Sequence, residues 1–210
     1  AATTRHFELD IFNIDSPIRS TLKGKLLIKG RPFIQKHREF FQNMGFFTDT
    51  YAILHPPAFE KIKGNVIMSG YFQIERYFKS IPFEIRKDFT FKIPLTGKNL
   101  ELSEKIKGCN SIAVHIRRGD YLTNKSAVSN FVTCDIGYYK KAIEYITEQT
   151  NNPELFIFSD DPDWVKNNLN FVDIPISFID WKKGKESYID MQLMRMCKHN
   201  IIANSSFSWW

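Results

Sequence analysis

The chain has 210 residues, of which 43% are hydrophobic and 25% are charged. This composition is typical of a globular protein with a buried core and excludes disordered, collagen-like and disulfide-scaffold chains. Its 29 Lys and Arg residues outnumber its 23 Asp and Glu residues, for a formal net charge of +6 at pH 7. Such an excess suits an anionic ligand, a membrane surface or nucleic acid, and does not choose among them.

The first half of the chain mixes short apolar runs with proline and glycine. The runs lie at residues 25–28, 65–72 and 81–83. They predict short strands and loops with one or two brief helices. Residues 94–100 are the best candidate for a linker, so we predict a first domain over residues 1–100.

The second half alternates apolar runs with helical periodicity. Four strands are predicted, at residues 111–116, 155–158, 174–179 and 200–203. Between them, Asp135 is predicted to cap one helix, Pro162 to open a second and Ser187 to open a third. This alternation predicts a Rossmann-like domain over residues 101–210, with a parallel sheet covered on both faces.

Polar residues follow these predicted strands, and ligands of parallel sheets bind beyond the carboxyl ends of the strands. Arg117 and Arg118 follow the first strand, and a guanidinium group matches a phosphate with paired hydrogen bonds. Asn204, Ser205 and Ser206 follow the fourth strand, where small donors and backbone N–H groups can hold a phosphate without a glycine-rich loop. Together the two strand ends suit a diphosphate.

Structural interpretations of the same residues stay open. The arginines could form a surface ion pair with Asp120, and the serine turn could cap the following helix. Asp190 lies three residues after Ser187, which is the spacing of a capping box. His115, on an apolar strand, is more often a core histidine than a ligand.

Other residues bear on metals and on the compartment. The adjacent Asp160 and Asp161 are discounted as a metal pair, because neighbouring strand residues point to opposite faces. Cys109, Cys134 and Cys197 are odd in number and lack metal-ligand spacing, which indicates free thiols in a reducing compartment.

The sequence shows neither a membrane span nor a signal-peptide core, so we expect a cytoplasmic protein. The missing initiating Met and the apolar last residues lead us to expect missing segments at both ends.

Several motifs occur in one chain in a specific order. They are His115-Ile116-Arg117-Arg118-Gly119-Asp120-Tyr121, then Phe156-Ile157-Phe158-Ser159-Asp160-Asp161 with Trp164, then Ser187-Tyr188-Ile189-Asp190-Met191 through Cys197 to Trp210. This set strongly resembles the bacterial α-1,2-fucosyltransferases of glycosyltransferase family 11. Gly70-Tyr71-Phe72-Gln73 resembles an aromatic segment of the same family, whereas the family's glycine-rich start is absent.

The resemblance implies a fold, a reaction and partners. The fold is of the GT-B type, with two Rossmann-like domains, of which the N-terminal, acceptor-side one is incomplete here and the C-terminal one is truncated. The reaction is an inverting transfer of fucose from GDP-fucose to the 2-hydroxyl of a terminal galactose, on an oligosaccharide or a lipid-linked glycan. It implies no metal and no cofactor.

The resemblance also implies roles for individual residues. Its donor-binding set is His115, Arg117, Arg118, Asp190, Asn204, Ser205 and Ser206. Within that set His115 and Asp190 would contact the guanine, Arg117 the β-phosphate, and Ser205 and Ser206 the diphosphate. Arg117 is the expected catalytic residue, because negative charge grows on the leaving phosphate. Asp120 is the candidate for the base that inversion needs, although it could instead only orient Arg118.

Two further readings of the sequence stay open. The donor motifs say little about the acceptor, so a different GDP-sugar or linkage remains an alternative. A basic module for nucleic acid is a weaker alternative, since the cationic residues form no stripe and we expect no nucleic-acid partner. The net positive charge also fits peripheral contact with anionic lipid at the inner face of a membrane, as a hypothesis.

Overall fold

A computed structural model of the chain describes residues 9–14, 22–49, 57–64, 66–119, 132–169, 173–181 and 186–210. The chain divides into two compact units, Ala1–Lys92 and Ile93–Trp210. The boundary predicted at residue 100 falls within a helix, α4, which spans Gly97–Gly108 in the second unit. The roles of the two predicted domains remain predictions.

The first unit combines helices with a small parallel sheet. Its helices are α1 (Leu22–Lys36), α2 (Arg38–Asn43) and α3 (Pro82–Asp88), and its paired strands are β1 (Phe46–Thr48) and β2 (Ile67–Ser69). Short 3-10 turns occupy Leu9–Ile11, Pro57–Lys61 and Glu75–Tyr77. The run at 25–28, predicted among strands and loops, lies inside α1, and 81–83 leads into α3. Apolar runs this short do not distinguish a strand from a buried helix turn.

A buried carboxylate organises the carboxyl ends of β1 and β2. Asp49 is 3% exposed, and it accepts hydrogen bonds from the Tyr77 hydroxyl at 3.1 Å and from the backbone N–H of Phe72 at 2.9 Å. Gly70 packs so closely against Asp49 that a Cβ there would collide with it. Burial, together with the Asp49 hydrogen bond, raises the pKa of Tyr77. The rings of Phe47, Phe59 and Phe72 surround this tyrosine.

The second unit contains the predicted parallel sheet. Its strands, in the order β5-β4-β3-β6, are β3 (Asn110–Ile116), β4 (Pro153–Ser159), β5 (Ile176–Ile179) and β6 (His199–Ile201). All three pairings are parallel. Besides α4, its helices are α5 (Ile136–Thr147), α6 (Pro162–Asn168), α7 (Ser187–Met194) and α8 (Ser206–Trp209). The four strands and three helices predicted for this half are confirmed.

Helices cover both faces of the sheet. On one face, Ile112, Val114 and Ile116 of β3 pack with buried residues of α5 and α6. On the other face, Ala113 packs with buried residues of α4 and α7, Leu193 among them. A sheet buried on both faces explains why its strands read as continuous apolar runs. This mixed α/β architecture is compatible with a Rossmann-like glycosyltransferase fold.

Two side-chain caps fix where the helices begin. Asp135 accepts a hydrogen bond from the N–H of Tyr138 at 2.8 Å, and Asp161 accepts one from the N–H of Trp164 at 3.3 Å. Pro162 occupies the first turn of α6, where its missing N–H costs nothing. The predicted helix starts at Asp135 and Pro162 are therefore confirmed.

The order of the strands creates a switch point. The chain runs outward from β3 to β4 and then to β5, and returns to place β6 on the opposite side of β3. In open parallel sheets the crevice beyond the carboxyl ends at such a reversal is the usual place for a ligand. The candidate ligand site is therefore at the carboxyl ends of β3 and β6.

Candidate functional site

Arg117 lies directly beyond the carboxyl end of β3. Its guanidinium Nη1 is 3.1 Å from Oδ2 of Asp160, and the two side chains are 29% and 24% exposed. The register of β3 and β4 explains this ion pair. Ile116 lies opposite Ser159, so the residues that follow them, Arg117 and Asp160, are next to each other. The guanidinium is thus held at the strand end and still reaches solvent.

Arg118 is held by Asp161, which follows β4, and by Trp164 of α6. Its Nε lies 3.4 Å from Oδ2 of Asp161, and its guanidinium carbon lies 3.7 Å from the centre of the Trp164 ring. Stacking on an indole face attracts a guanidinium and limits its rotation. Asp161 therefore caps α6 with one oxygen and contacts Arg118 with the other.

His115 is buried inside the same strand. It is 6% exposed, its ring lies 5.4 Å from that of Phe207, and its Nδ1 is buried without a hydrogen-bond partner. Burial, reinforced by Arg117 and opposed by Asp160, lowers the pKa of His115 to about 4. The imidazole is therefore neutral at pH 7, able to donate or accept one hydrogen bond at each nitrogen according to its tautomer.

The serine turn follows β6, which pairs with β3. Ser205 caps α8, since its Oγ accepts a hydrogen bond from the N–H of Phe207 at 3.3 Å. Asn204 donates from its side chain to the backbone oxygen of Val132 at 3.1 Å, and Ser206 is exposed. The capping interpretation of this turn is thus confirmed for Ser205, whose hydroxyl hydrogen can still be donated elsewhere.

Asp190 lies in the first turn of α7, which packs on the same face of the sheet as His115. The residue preceding this helix is Glu186, which makes no side-chain cap, and Ser187 is already the first helical residue. The predicted capping box between Ser187 and Asp190 is therefore not formed. The Oδ1 atom of Asp190 is buried.

The structure places most of the predicted site residues around one strand end. His115, Arg117 and Arg118 belong to β3 and its loop, and the turn 204–206 follows the adjacent β6. Asp120, the candidate base, lies outside the described residues. Among the residues that are described, no three His, Cys, Asp or Glu side chains gather as metal ligands, and independence from metal stays a prediction.

Two residues of the site escaped prediction. In the sequence Asp160 is discounted as a metal ligand, and both Asp160 and Trp164 otherwise occur only within a motif, with no role assigned to either. The signal for Asp160 was available in principle, since a carboxylate at one parallel strand end lies beside the end of the next strand. Its partner could be identified only once the register of β3 and β4 was known.

The first unit has a separate concave surface. It encloses about 700 Å³. The lining is Phe59, Glu60, Ile62, Val66, Met68, Arg76, Tyr77, Lys79 and Ser80. Within it the Arg76 guanidinium lies 2.8 Å from a Glu60 carboxylate oxygen. Aromatic rings beside charged and hydroxyl groups make it a candidate for a polar ligand with apolar faces.

Two structural findings concern membranes and thiols. No helix in the described ranges is both long and apolar enough to cross a membrane. Cys109, Cys134 and Cys197 form no disulfide with one another.

The chain is similar in sequence to several known glycosyltransferases. An alpha-1,2-colitosyltransferase of Escherichia coli is 42% identical over 71% of this chain and 51% of its own length. The O-antigen biosynthesis glycosyltransferase WbnK of Escherichia coli is 31% identical over 99% of this chain and 74% of its own length. A galactoside 2-alpha-L-fucosyltransferase, SEC1, of Bos taurus is 25% identical over 69% of this chain. The chain thus spans about half of the first relative and 41% of the third.

A family match covers most of the sequence. Residues 13–210 match glycosyl transferase family 11. This span includes β3, the loop of residues 117–119 that follows it (the arginine loop) and the serine turn, residues 204–206. The match extends over both structural units. The chain therefore belongs to glycosyl transferase family 11.

Proposed function

We propose that the protein transfers fucose, with inversion, from GDP-fucose to the 2-hydroxyl of a terminal galactose. The observation that carries the proposal is the switch point, where β3 and β6 are paired neighbours, so that the arginine loop and the serine turn follow adjacent strands. Family membership and relatives named for α-1,2 transfer support the same reaction. A GT-B arrangement of the complete protein is part of the proposal.

The leaving group explains the choice of residues. As the bond from fucose to GDP breaks, negative charge grows on the β-phosphate and the sugar gains oxocarbenium character. A guanidinium already in place stabilises that charge more in the transition state than in the ground state. We assign this role to Arg117, with Arg118, Asn204, Ser205 and Ser206 completing the diphosphate contacts.

The guanine contacts are assigned to His115 and Asp190. A buried ring nitrogen without a protein partner is costly unless a ligand supplies the hydrogen bond, and Nδ1 of His115 is such an atom. Asp190 sits in the first turn of a helix on the same face and does not form the capping box. A carboxylate suits the paired N–H donors of guanine.

The acceptor proton requires a base, for which we propose Asp120. Arg118 already has Asp161 and Trp164 as partners in the structure. Asp120→Asn is expected to lower kcat by two to four orders of magnitude, roughly the contribution of general base catalysis, with GDP affinity retained. A variant that keeps its kcat would assign the base elsewhere.

The acceptor is proposed to bind the first unit. The cavity there offers the rings of Phe59 and Tyr77 for the apolar face of a pyranose and the polar groups of Arg76, Glu60 and Ser80 for its hydroxyls. Phe59→Ala should raise the acceptor KM without changing the donor KM. The matched control is Phe83→Ala, since Phe83 is 79% exposed and lies outside the cavity.

The main test is product analysis with the complete protein, GDP-fucose, and lactose or N-acetyllactosamine as acceptor. We expect an α-1,2-linked product from wild type and at least a hundredfold lower turnover from Arg117→Ala, with an unchanged melting temperature. The control is Arg195→Ala, which changes an exposed arginine at the end of α7 away from the strand-end site. Near wild-type turnover by Arg117→Ala, or a product of another linkage only, would overturn the proposal.

Asp190 allows a separate test of guanine binding. Asp190→Ala should weaken GDP binding while the melting temperature changes little. A merely structural role predicts the reverse, a lower melting temperature with GDP affinity retained. Calorimetric titration and a thermal melt of the same sample distinguish the two outcomes.

Colitosyl transfer is a second candidate, because the relative that is 42% identical carries that name. Both reactions need the same diphosphate site, so the two candidates differ only at the sugar. Competition between GDP-fucose and GDP-colitose in one reaction mixture measures the ratio of their kcat/KM values directly. A ratio favouring colitose would replace fucose in the proposal and leave the site assignments intact.

A further inference from the structure

The Asp160 carboxylate gathers donors from three consecutive residues of the β3 loop. Its Oδ1 accepts the N–H of Arg118 at 2.9 Å, and its Oδ2 accepts the N–H of Gly119 at 3.0 Å. The same Oδ2 is 3.1 Å from Nη1 of Arg117. One side chain directly after β4 thus fixes both the backbone of the loop that follows β3 and the guanidinium that this loop carries.

The fit between loop and carboxylate leaves no spare room. A Cβ added to Gly119 would lie 2.7 Å from Oδ2 and 3.2 Å from Cγ of Asp160. An added methyl group would therefore force the carboxylate to shift from its present position. The carboxylate thus contacts the loop backbone as well as a side chain, whereas a chance ion pair joins two mobile surface side chains.

The placement of a carboxylate here needs an explanation. A negative charge next to a diphosphate weakens diphosphate binding, so Asp160 does not serve to increase affinity for the nucleotide. Its effect on Arg117 is different, since it restricts a long, rotatable side chain to one position. Restriction of that kind favours the transition state, in which the position of the guanidinium matters most.

We propose that Asp160 is a positioning residue for the transfer reaction, acting through Arg117 and not on the substrate itself. The inference rests on the proposed function, in which Arg117 stabilises the leaving diphosphate. It makes a specific kinetic prediction. Asp160→Asn removes the repelling charge and the hold on the guanidinium together, so turnover falls while GDP affinity stays equal or rises.

The test is a double-mutant cycle with Asp160→Asn, Arg117→Ala and the double variant in the complete protein. We expect Asp160→Asn alone to lower kcat by roughly 30- to 100-fold, the effect of misplacing a catalytic group by about 1 Å. GDP affinity should stay within threefold of wild type or increase. In the Arg117→Ala background the same substitution should change kcat by less than threefold, because there is no guanidinium left to position.

Two further variants control for folding and for charge. Asp180→Asn removes another strand-end carboxylate in an ion pair, that with Lys166 at 2.6 Å, and should leave kcat unchanged. Gly119→Ala displaces the Asp160 carboxylate without removing it, and should reproduce the loss of kcat. If Asp160→Asn does not fold, the Gly119→Ala variant tests the same role of Asp160.

The outcomes separate the two proposals. Equal losses of kcat in both backgrounds, or a parallel loss of GDP affinity and melting temperature, would overturn the role of Asp160 and leave the proposed function standing. Normal turnover by Gly119→Ala would do the same, as would failure of both the Asp160→Asn and Gly119→Ala variants to fold. A wild-type protein that neither binds GDP nor transfers a sugar would refute both.

Discussion

Acid should destabilise the second unit through one buried side chain, His115. The imidazole lies between sheet and helix, next to the ring of Phe207, with Asp160 and Arg117 as its charged neighbours. The perturbation is His115→Phe, which keeps an aromatic ring in that position and removes the titrating group. The difference between the two proteins then isolates this residue, because every other titration is common to both.

The magnitude follows from the pKa of His115, which is lowered to about 4 from an ordinary 6.5. Between these pH values the unfolded chain binds a proton at this residue and the folded chain does not, so stability falls as the pH falls. The full contribution is present above pH 6.5. The loss amounts to about 2 kcal/mol at pH 5 and about 3 kcal/mol at pH 4, from about 1.4 kcal/mol per pKa unit.

Urea unfolding followed by tryptophan fluorescence is a suitable assay. All four tryptophans, at positions 164, 181, 209 and 210, belong to the second unit, so the signal reports on that unit. The free energy of unfolding of wild type should fall about 2 kcal/mol further than that of His115→Phe between pH 7 and pH 5. Equal losses in the two proteins would refute a neutral, buried imidazole.

Other predictions concern the first unit and one thiol. Tyr77→Phe leaves the buried Asp49 with one donor fewer, and should cost about 1–3 kcal/mol, measured by hydrogen exchange of peptides from residues 46–78. In the same measurement Gly70→Ala should cost more, because its Cβ collides with Asp49. Burial raises the pKa of Cys197 to about 12, so iodoacetamide at pH 8 should alkylate it about a thousandfold more slowly in the folded than in the urea-unfolded protein, as followed by mass spectrometry. Comparable alkylation rates would contradict its burial.

The sequence predicts the second unit well because its signals are local. The apolar run of β3 and the helix starts at Asp135 and Pro162 each depend on a few neighbouring residues, and the structure confirms them. The run at 25–28 could not be assigned from the sequence, because its three apolar residues fit a strand and a helix turn equally. Its assignment is decided by the longer helical segment around it.

Part of the candidate site could be predicted from the sequence, for a related reason. Arg117 and the serine turn are visible as polar residues after apolar runs, whatever the order of the strands. The link from Asp160 to Arg117 depends on the register of two strands separated by a helix, which no local pattern contains. The prediction of a capping box at Asp190 was wrong, because α7 begins at Ser187 itself, whereas that motif requires Ser187 to precede the helix.

The two strands that lead to the proposed anion site are paired over unequal lengths. The arginine loop follows β3, which is paired with β4 along its whole length, whereas β6 pairs with β3 over His199–Ile201, with one more backbone hydrogen bond from Lys198 to Ser111. Local opening of so short a pairing breaks few backbone hydrogen bonds. In the proposed function a nucleotide bridges the arginine loop and the serine turn, so its release would require movement of the serine turn alone, with Arg117 still held by Asp160.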